Sequence, residues 1–153
     1  MDTIDKLLAI EEIKSLKARY FRLMDTKKWA EWEQLFATDL VADFPDDRPD
    51  FPPFRGRREF VAAIQAMNGS ALTLHHGHTP EIEILTPTSA RGIWVMQDWI
   101  RWPEGSEAAT GGRYLIGWGH YHETYVKSAE GWRIATLKLT RLHLDRSSWN
   151  LGQ

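Results

Sequence analysis

The sequence predicts an α+β protein: a cone-shaped, strongly curved antiparallel sheet with three N-terminal helices closing an internal pocket. Two observations lead there. Apolar residues recur at spacings of three and four as far as Asn68, and from Leu72 onward the period changes to two. Helices first and a meander of long strands afterwards is the α+β order, with the helices on one face of one sheet. A curved sheet closed in this way encloses a pocket, a usual place for a small ligand.

The first predicted helix covers residues 3–24. Ile4, Leu7, Leu8, Ile13, Leu16, Tyr20, Leu23 and Met24 form its stripe, and Thr3 can cap it. A second fits TKKWAEWEQLF, with Trp29, Trp32 and Phe36 on one side and Asp25 or Thr26 as N-cap. The segment DFPDDRPDFPPFRG carries four prolines between positions 45 and 53 and must be an irregular loop. A third helix fits RREFVAAIQAMN and stops near Asn68–Gly69. Strands are predicted at 72–85, 90–102, 112–127 and 131–144, broken by TPTSA, PEGSEAATGG and SAEG, with a short strand near 40–44 beside them. No repeat, low-complexity tract or second domain is visible, so residues 1–153 read as one domain.

Composition excludes several function classes. A formal net charge of −2 with dispersed Lys and Arg leaves no electrostatic footprint for nucleic acid. With no cysteine, there is no disulfide, thiolate zinc site or cysteine nucleophile. The start MDTIDKLLAIEEIK lacks the basic, then apolar, form of a signal peptide, and no apolar run is long enough to span a membrane. A cytoplasmic location is expected. Eight tryptophans in 153 residues predict a core and pocket with a large aromatic share, Trp94, Trp99 and Trp118 being the candidates for the pocket wall.

The chemistry-bearing residues are few. LTLHHGHTPEIEI packs three of the six histidines into positions 75–78. With His120 and His122 they could form two His-x-His pairs for a divalent metal, a weak signal without a clear carboxylate spacing; no metal is expected. The other reading pairs one histidine with a carboxylate, since imidazole suits proton abstraction near neutral pH and a carboxylate fixes its tautomer. Asp25, where the first helix ends, is one candidate, although it could equally cap the next helix. Asp98 stands alone among Met96, Trp99 and Ile100, where an unpaired carboxylate is expensive to bury. Tyr20 lies on the buried stripe, either as core or with its hydroxyl in the pocket. Lys138 interrupts the last strand, on an exposed face or as a cation for a developing anion.

Four stretches then carry a family resemblance: IEEIKSLKARYFRLMDTKKWAEWEQLFATD, FRGRREFVAAI, LHHGHTPEIEI and the closing GHYHETYVKSAEGWRIATLKLTRL. The chain resembles the nuclear transport factor 2-like superfamily, in its SnoaL-like branch, over nearly its whole length. The resemblance implies the same cone and places an Asp–His pair at Asp25 and His75. It also implies a tyrosine at Tyr20, a second acid at Asp98 and, where related dehydratases carry an arginine, Lys138. For His75 to share a face with Ile82 and Ile84 the strand must switch faces near Gly77–Pro80. His76 and His120 are then left to line or rim the pocket.

The expected function is a cofactor-independent dehydratase acting on a small to medium hydrophobic cyclic molecule. An isomerase or polyketide-type cyclase of the same fold, or a non-catalytic small-molecule binding module, are the alternatives. Resemblance also implies a homo-oligomer, trimer or dimer.

Overall fold

The structure, a computed structural model, describes residues 1–147; residues 148–153 of the predicted domain lie outside them. Helix α1 spans Thr3–Asp25. Asp2 rather than Thr3 caps it: its carboxylate accepts from the Asp5 N–H at 2.8 Å, and the Asp5 side chain accepts in return from the Asp2 N–H. The buried stripe is Ala9, Ile13, Leu16, Lys17, Tyr20, Leu23 and Met24. Ile4, Leu7 and Leu8 are exposed, so the apolar period continues beyond the part of α1 that packs.

Helix α2, Trp29–Glu33, is shorter than predicted. Lys27 at φ +61° breaks the chain after α1, and Phe36 already opens strand β1, Phe36–Asp43. The N-cap position of α2 is Lys28, and no side chain caps it there. After the proline loop come β2, Phe54–Arg55, and α3, Arg57–Asn68. The remaining strands are β3, Leu72–Thr86; β4, Ser89–Arg101; β5, Tyr114–Ser128; and β6, Gly131–Ser147. A four-residue helix α4, Glu107–Thr110, lies inside the predicted turn PEGSEAATGG and ends at Gly111, whose φ of +74° suits glycine.

The sheet has the order β2-β1-β6-β5-β4-β3. Strands β3 to β6 form the predicted antiparallel meander, but β1 runs parallel to β6. The sheet is therefore mixed, because the chain enters β1 before the meander begins and pairs it with the meander's last strand. Register shifts at His78/Glu81, Trp118/Gly119 and Thr124/Tyr125 add bulges that bend the long strands.

The helices cover one face of this sheet. Between them lies an aromatic core in which Trp32 meets Phe36 at 4.9 Å and Phe60 at 5.4 Å between ring centroids. On β3 the strand changes faces at the bulge. His75 is buried on the inner face; Thr79, at φ +29°, and Pro80 absorb the extra residue, after which Ile82 and Ile84 pack against the core. Gly77 lets α1 come close, since a Cβ there would stand 2.6 Å from the Phe21 ring.

Candidate active site

The end of α1 and the start of β3 meet at Asp25. Its Oδ1 accepts from His75 Nδ1 at 2.7 Å and from the Thr73 hydroxyl at 2.8 Å, while Oδ2 accepts from the His75 backbone N–H at 2.9 Å. Lys27 Nζ donates in turn to Thr73 Oγ1 at 2.8 Å. With these donors Asp25 does not serve as a cap for α2. Burial works against its charge, but the hydrogen bond and charge of His75, then the His75 amide and Thr73, hold its carboxyl below the usual carboxylate range. An ionised carboxylate only accepts, so Nδ1 carries the proton and Nε2 of a neutral His75 keeps its lone pair.

His75 lines a cavity of about 150 Å³ whose apolar wall includes Trp32, Phe44, Phe54, Phe60, Ile100 and Trp102. Its polar members are Tyr20, Tyr121, Asn68, Asp98, Arg141, Asp47, Arg48 and Arg146, together with Thr110. In register, His75 stands directly opposite Asp98 on β4, and Asp98 opposite Gly117 on β5. The Asp98 carboxylate is held by both ends of the Arg141 guanidinium, Nη1 at 2.7 Å and Nη2 at 2.9 Å. Arg141 also donates from Nε to Asp47 at 3.2 Å. Burial opposes the charge of Arg141, but Asp98 and then Asp47 outweigh it and push its pKa further up.

Tyr20 and Tyr121 close the same wall. Burial first, then the charge of Glu123, pushes the Tyr20 hydroxyl far above the ordinary phenol range; burial and the neighbouring Tyr20 do the same at Tyr121. Both remain neutral hydroxyls. Beneath them Lys17 Nζ sits 3.9 Å from the Tyr20 ring and 3.7 Å from the Tyr121 ring, paired with the Glu123 carboxylate. Burial pulls the Lys17 ammonium down, with Glu123 acting against it. Glu123 Oε2 accepts from Tyr125 OH at 2.5 Å, and Tyr125 OH accepts from Trp94 Nε1 at 2.8 Å.

Four of the residues singled out in the sequence, Tyr20, Asp25, His75 and Asp98, thus stand at the cavity or on a residue that lines it. Six do not. Lys138 is exposed on the outer face of the sheet, opposite His122, because it alternates with the inward Leu137 and Leu139. Trp118 is on that face too, stacked on His143 at 4.4 Å, as are His76, beside His78, and His120, beside His122. Trp99 alternates with the inward Asp98 and Ile100, and Trp94 is buried in the Lys17–Glu123 network rather than in the cavity wall. Among the described residues no group of three or more His, Asp or Glu side chains is placed to hold a metal ion.

Arg141 and Tyr121 were missed, although strand alternation marks both. Arg141 is two residues beyond Leu139 on the Leu137–Leu139 face, and Tyr121 stands between two outward histidines.

A bent sheet closed by helices over a polar-floored apolar cavity defines the nuclear transport factor 2-like class of folds. Residues 5–138 match the SnoaL-like domain family, and the chain belongs to it. It is 25% identical over 138 residues to the probable cyclase FGR4 of Gibberella zeae, covering 86% of this chain and 89% of the relative. A scytalone dehydratase candidate from Novosphingobium aromaticivorans superposes with a TM-score of 0.82 at 20% identity, over 99% of each chain. A hexachlorocyclohexane dehydrochlorinase from Novosphingobium barchaimii, LinA-type3, gives 0.78 at 12% identity, over 99% of this chain and 97% of its own. At these identities the two solved structures speak for the fold.

Proposed function

We propose that this protein is a cofactor-independent lyase, a dehydratase in which His75 is the general base and acid and Asp25 orients it. The observation that carries this reading is the 2.7 Å hydrogen bond between Asp25 and His75 Nδ1, on a histidine that lines an apolar cavity. Nε2 takes a proton from a carbon next to a carbonyl. The C–H electron pair forms the new double bond through an enolate, and hydroxide leaves from the adjacent carbon with the proton that Nε2 returns to it. Asp25 stabilises the imidazolium between the two steps. Tyr20, held neutral with Tyr121 beside it, donates to the oxygen on which charge develops. Asp98, fixed by Arg141, accepts from a substrate hydroxyl and orients the ring.

The size of the site favours the small end of the expected range. A cavity of about 150 Å³ is the size that accommodates a benzene ring, so one ring fits inside and anything larger must extend through the opening. The test is turnover of hydroxylated cyclic ketones followed by product mass. The wild type should release a product lighter by one water, and His75→Ala and Asp25→Asn should each lose roughly 10²–10⁴-fold in rate. Full turnover in both variants would end the dyad reading.

A second reading has one observation in its favour, the likeness to a probable cyclase. The same base would then generate a carbanion that closes a ring, and the product mass would equal that of the substrate. We further propose a cytoplasmic homo-oligomer, trimer or dimer, formed through the outer sheet face. Leu74, Val95, Ile93 and Trp118 are exposed there, more apolar surface than a solvated face needs. Light scattering of the purified protein would report the number of copies.

A further inference from the structure

We propose that the substrate of this cavity carries an anionic substituent, a carboxylate by its simplest chemistry, and that Arg48 is the residue that receives it. The inference rests on reading the cavity as the substrate site, and adds to that reading which kind of small molecule enters.

The cavity lining holds two carboxylates outside the Asp25–His75 pair, Asp47 and Asp98, and three guanidinium groups, Arg48, Arg141 and Arg146. The acids are already assigned. Asp98 is taken by Arg141, and Asp47 stands between Arg141 Nε at 3.2 Å and Arg146 Nη2 at 3.6 Å. One positive charge is left over. It is Arg48, whose side chain makes no hydrogen bond or ion pair among the described residues although Asp46, Asp47 and Asp50 are its neighbours in the chain.

Arg48 is nevertheless held in place. Its amide donates to the Phe44 carbonyl at 2.8 Å and its own carbonyl accepts from the Phe51 N–H at 3.2 Å, so it sits inside a hydrogen-bonded turn. The two residues before it anchor that turn to β6: Asp46 accepts from the Arg141 backbone N–H at 2.7 Å and Asp47 from Arg141 Nε. Its guanidinium carbon lies 3.9 Å from the centre of the Phe54 ring, and Phe54 is itself part of the cavity wall. Stacking uses the face of the guanidinium and leaves its edge, a planar fork of N–H donors, unused. A half-buried, pre-positioned cation with free donors beside an apolar cavity is complementary to a planar anion whose ring lies inside.

The experiment measures binding, not turnover. The probes are benzoate, phenylacetate and 3-phenylpropanoate, each against its own amide, followed by quenching of tryptophan fluorescence, since Trp32 and Trp102 line the cavity. At least one acid should bind the wild type roughly tenfold or more tighter than its amide, as expected of a charge-assisted fork, and added salt should weaken that preference. The chain length that binds best reports the reach from cavity to Arg48. Arg48→Met, which keeps an apolar stem against Phe54, should bind acid and amide equally. Equal affinities in the wild type, absence of binding by every acid, or a preference that survives Arg48→Met would each overturn the proposal and leave Arg48 as a solvated guanidinium. His75→Ala should keep the acid preference, so failure of the dehydratase reading and failure of this one show up in different measurements.

Discussion

Asp98 on β4 and Arg141 on β6 join through two hydrogen bonds of 2.7 and 2.9 Å, reaching over β5 at the one point where it presents Gly117. A Cβ on Gly117 would stand 2.6 Å from Arg141 Nη1 and 3.1 Å from Asp98 Oδ1. Gly117→Ala should therefore displace chiefly the guanidinium, the movable partner, while the His143 backbone carbonyl on β6, 3.2 Å from that Cβ, has to shift only slightly. The expected result is a stability loss of about 1–3 kcal/mol in chemical denaturation, typical of overpacking, with weaker orientation of any substrate hydroxyl at Asp98.

Removing the arginine should be worse than crowding it. Arg141→Met leaves Asp98, 3% exposed, without a counter-charge, and should cost about 3–5 kcal/mol. Arg141→Lys restores a cation but not the two parallel bonds. It should recover part of that stability while leaving activity low, measured as denaturation midpoint against kcat/KM. Equal recovery of both would mean that charge alone matters at this position.

The fold was legible where one local pattern decided the structure. The apolar spacing of RREFVAAIQAMN and the alternation of SARGIWVMQDWIR yielded α3 and β4 to within two residues at each end. TKKWAEWEQLF misled because FATDLVAD, which begins inside it, is claimed by β6 from about a hundred residues away, a pairing no local window contains. The site divides in the same way. Asp25 and His75 could be paired through a resemblance and a glycine–proline bulge signal, whereas in the last strand the resemblance and the interrupted apolar run both point to Lys138, and Arg141 goes unmarked by either. The Lys138 side of the strand, set by Leu137 and Leu139, pointed outward. Lys17 looked like an ordinary charge on an amphipathic helix; its burial depends on Glu123, 106 positions away.

That pair makes its own prediction. Lys17 and Glu123 are both essentially inaccessible, and Glu123 also receives the Tyr125 hydroxyl. Lys17→Met should destabilise the fold by about 3–5 kcal/mol because it strands a buried carboxylate. The double variant Lys17→Met/Glu123→Gln removes both charges and keeps an acceptor for Tyr125, so most of the loss should return. A double variant no more stable than Lys17→Met would show that the rings of Tyr20 and Tyr121 need the ammonium itself.

Asp25 gives the link between α1 and β3 a sensitivity to acid. Its carboxyl titrates below the usual aspartate value of about 3.9 in the folded protein, so the unfolded chain binds the proton first as pH falls. The stability it contributes is then complete above that ordinary value, starts to decline as pH approaches it, and is gone once pH has dropped through the lower folded value. Asp25→Asn cannot lose what it does not have. Unfolding free energies measured by urea from about pH 6 down to about pH 2 should fall more steeply for the wild type than for Asp25→Asn, with the two curves converging at the acid end. The variant should be the less stable of the two near neutrality, since an amide meets His75 and Thr73 without the charge. Parallel curves across the whole range would mean that the donors around Asp25 do not favour its ionised form, and the orienting role assigned to it would fall with them.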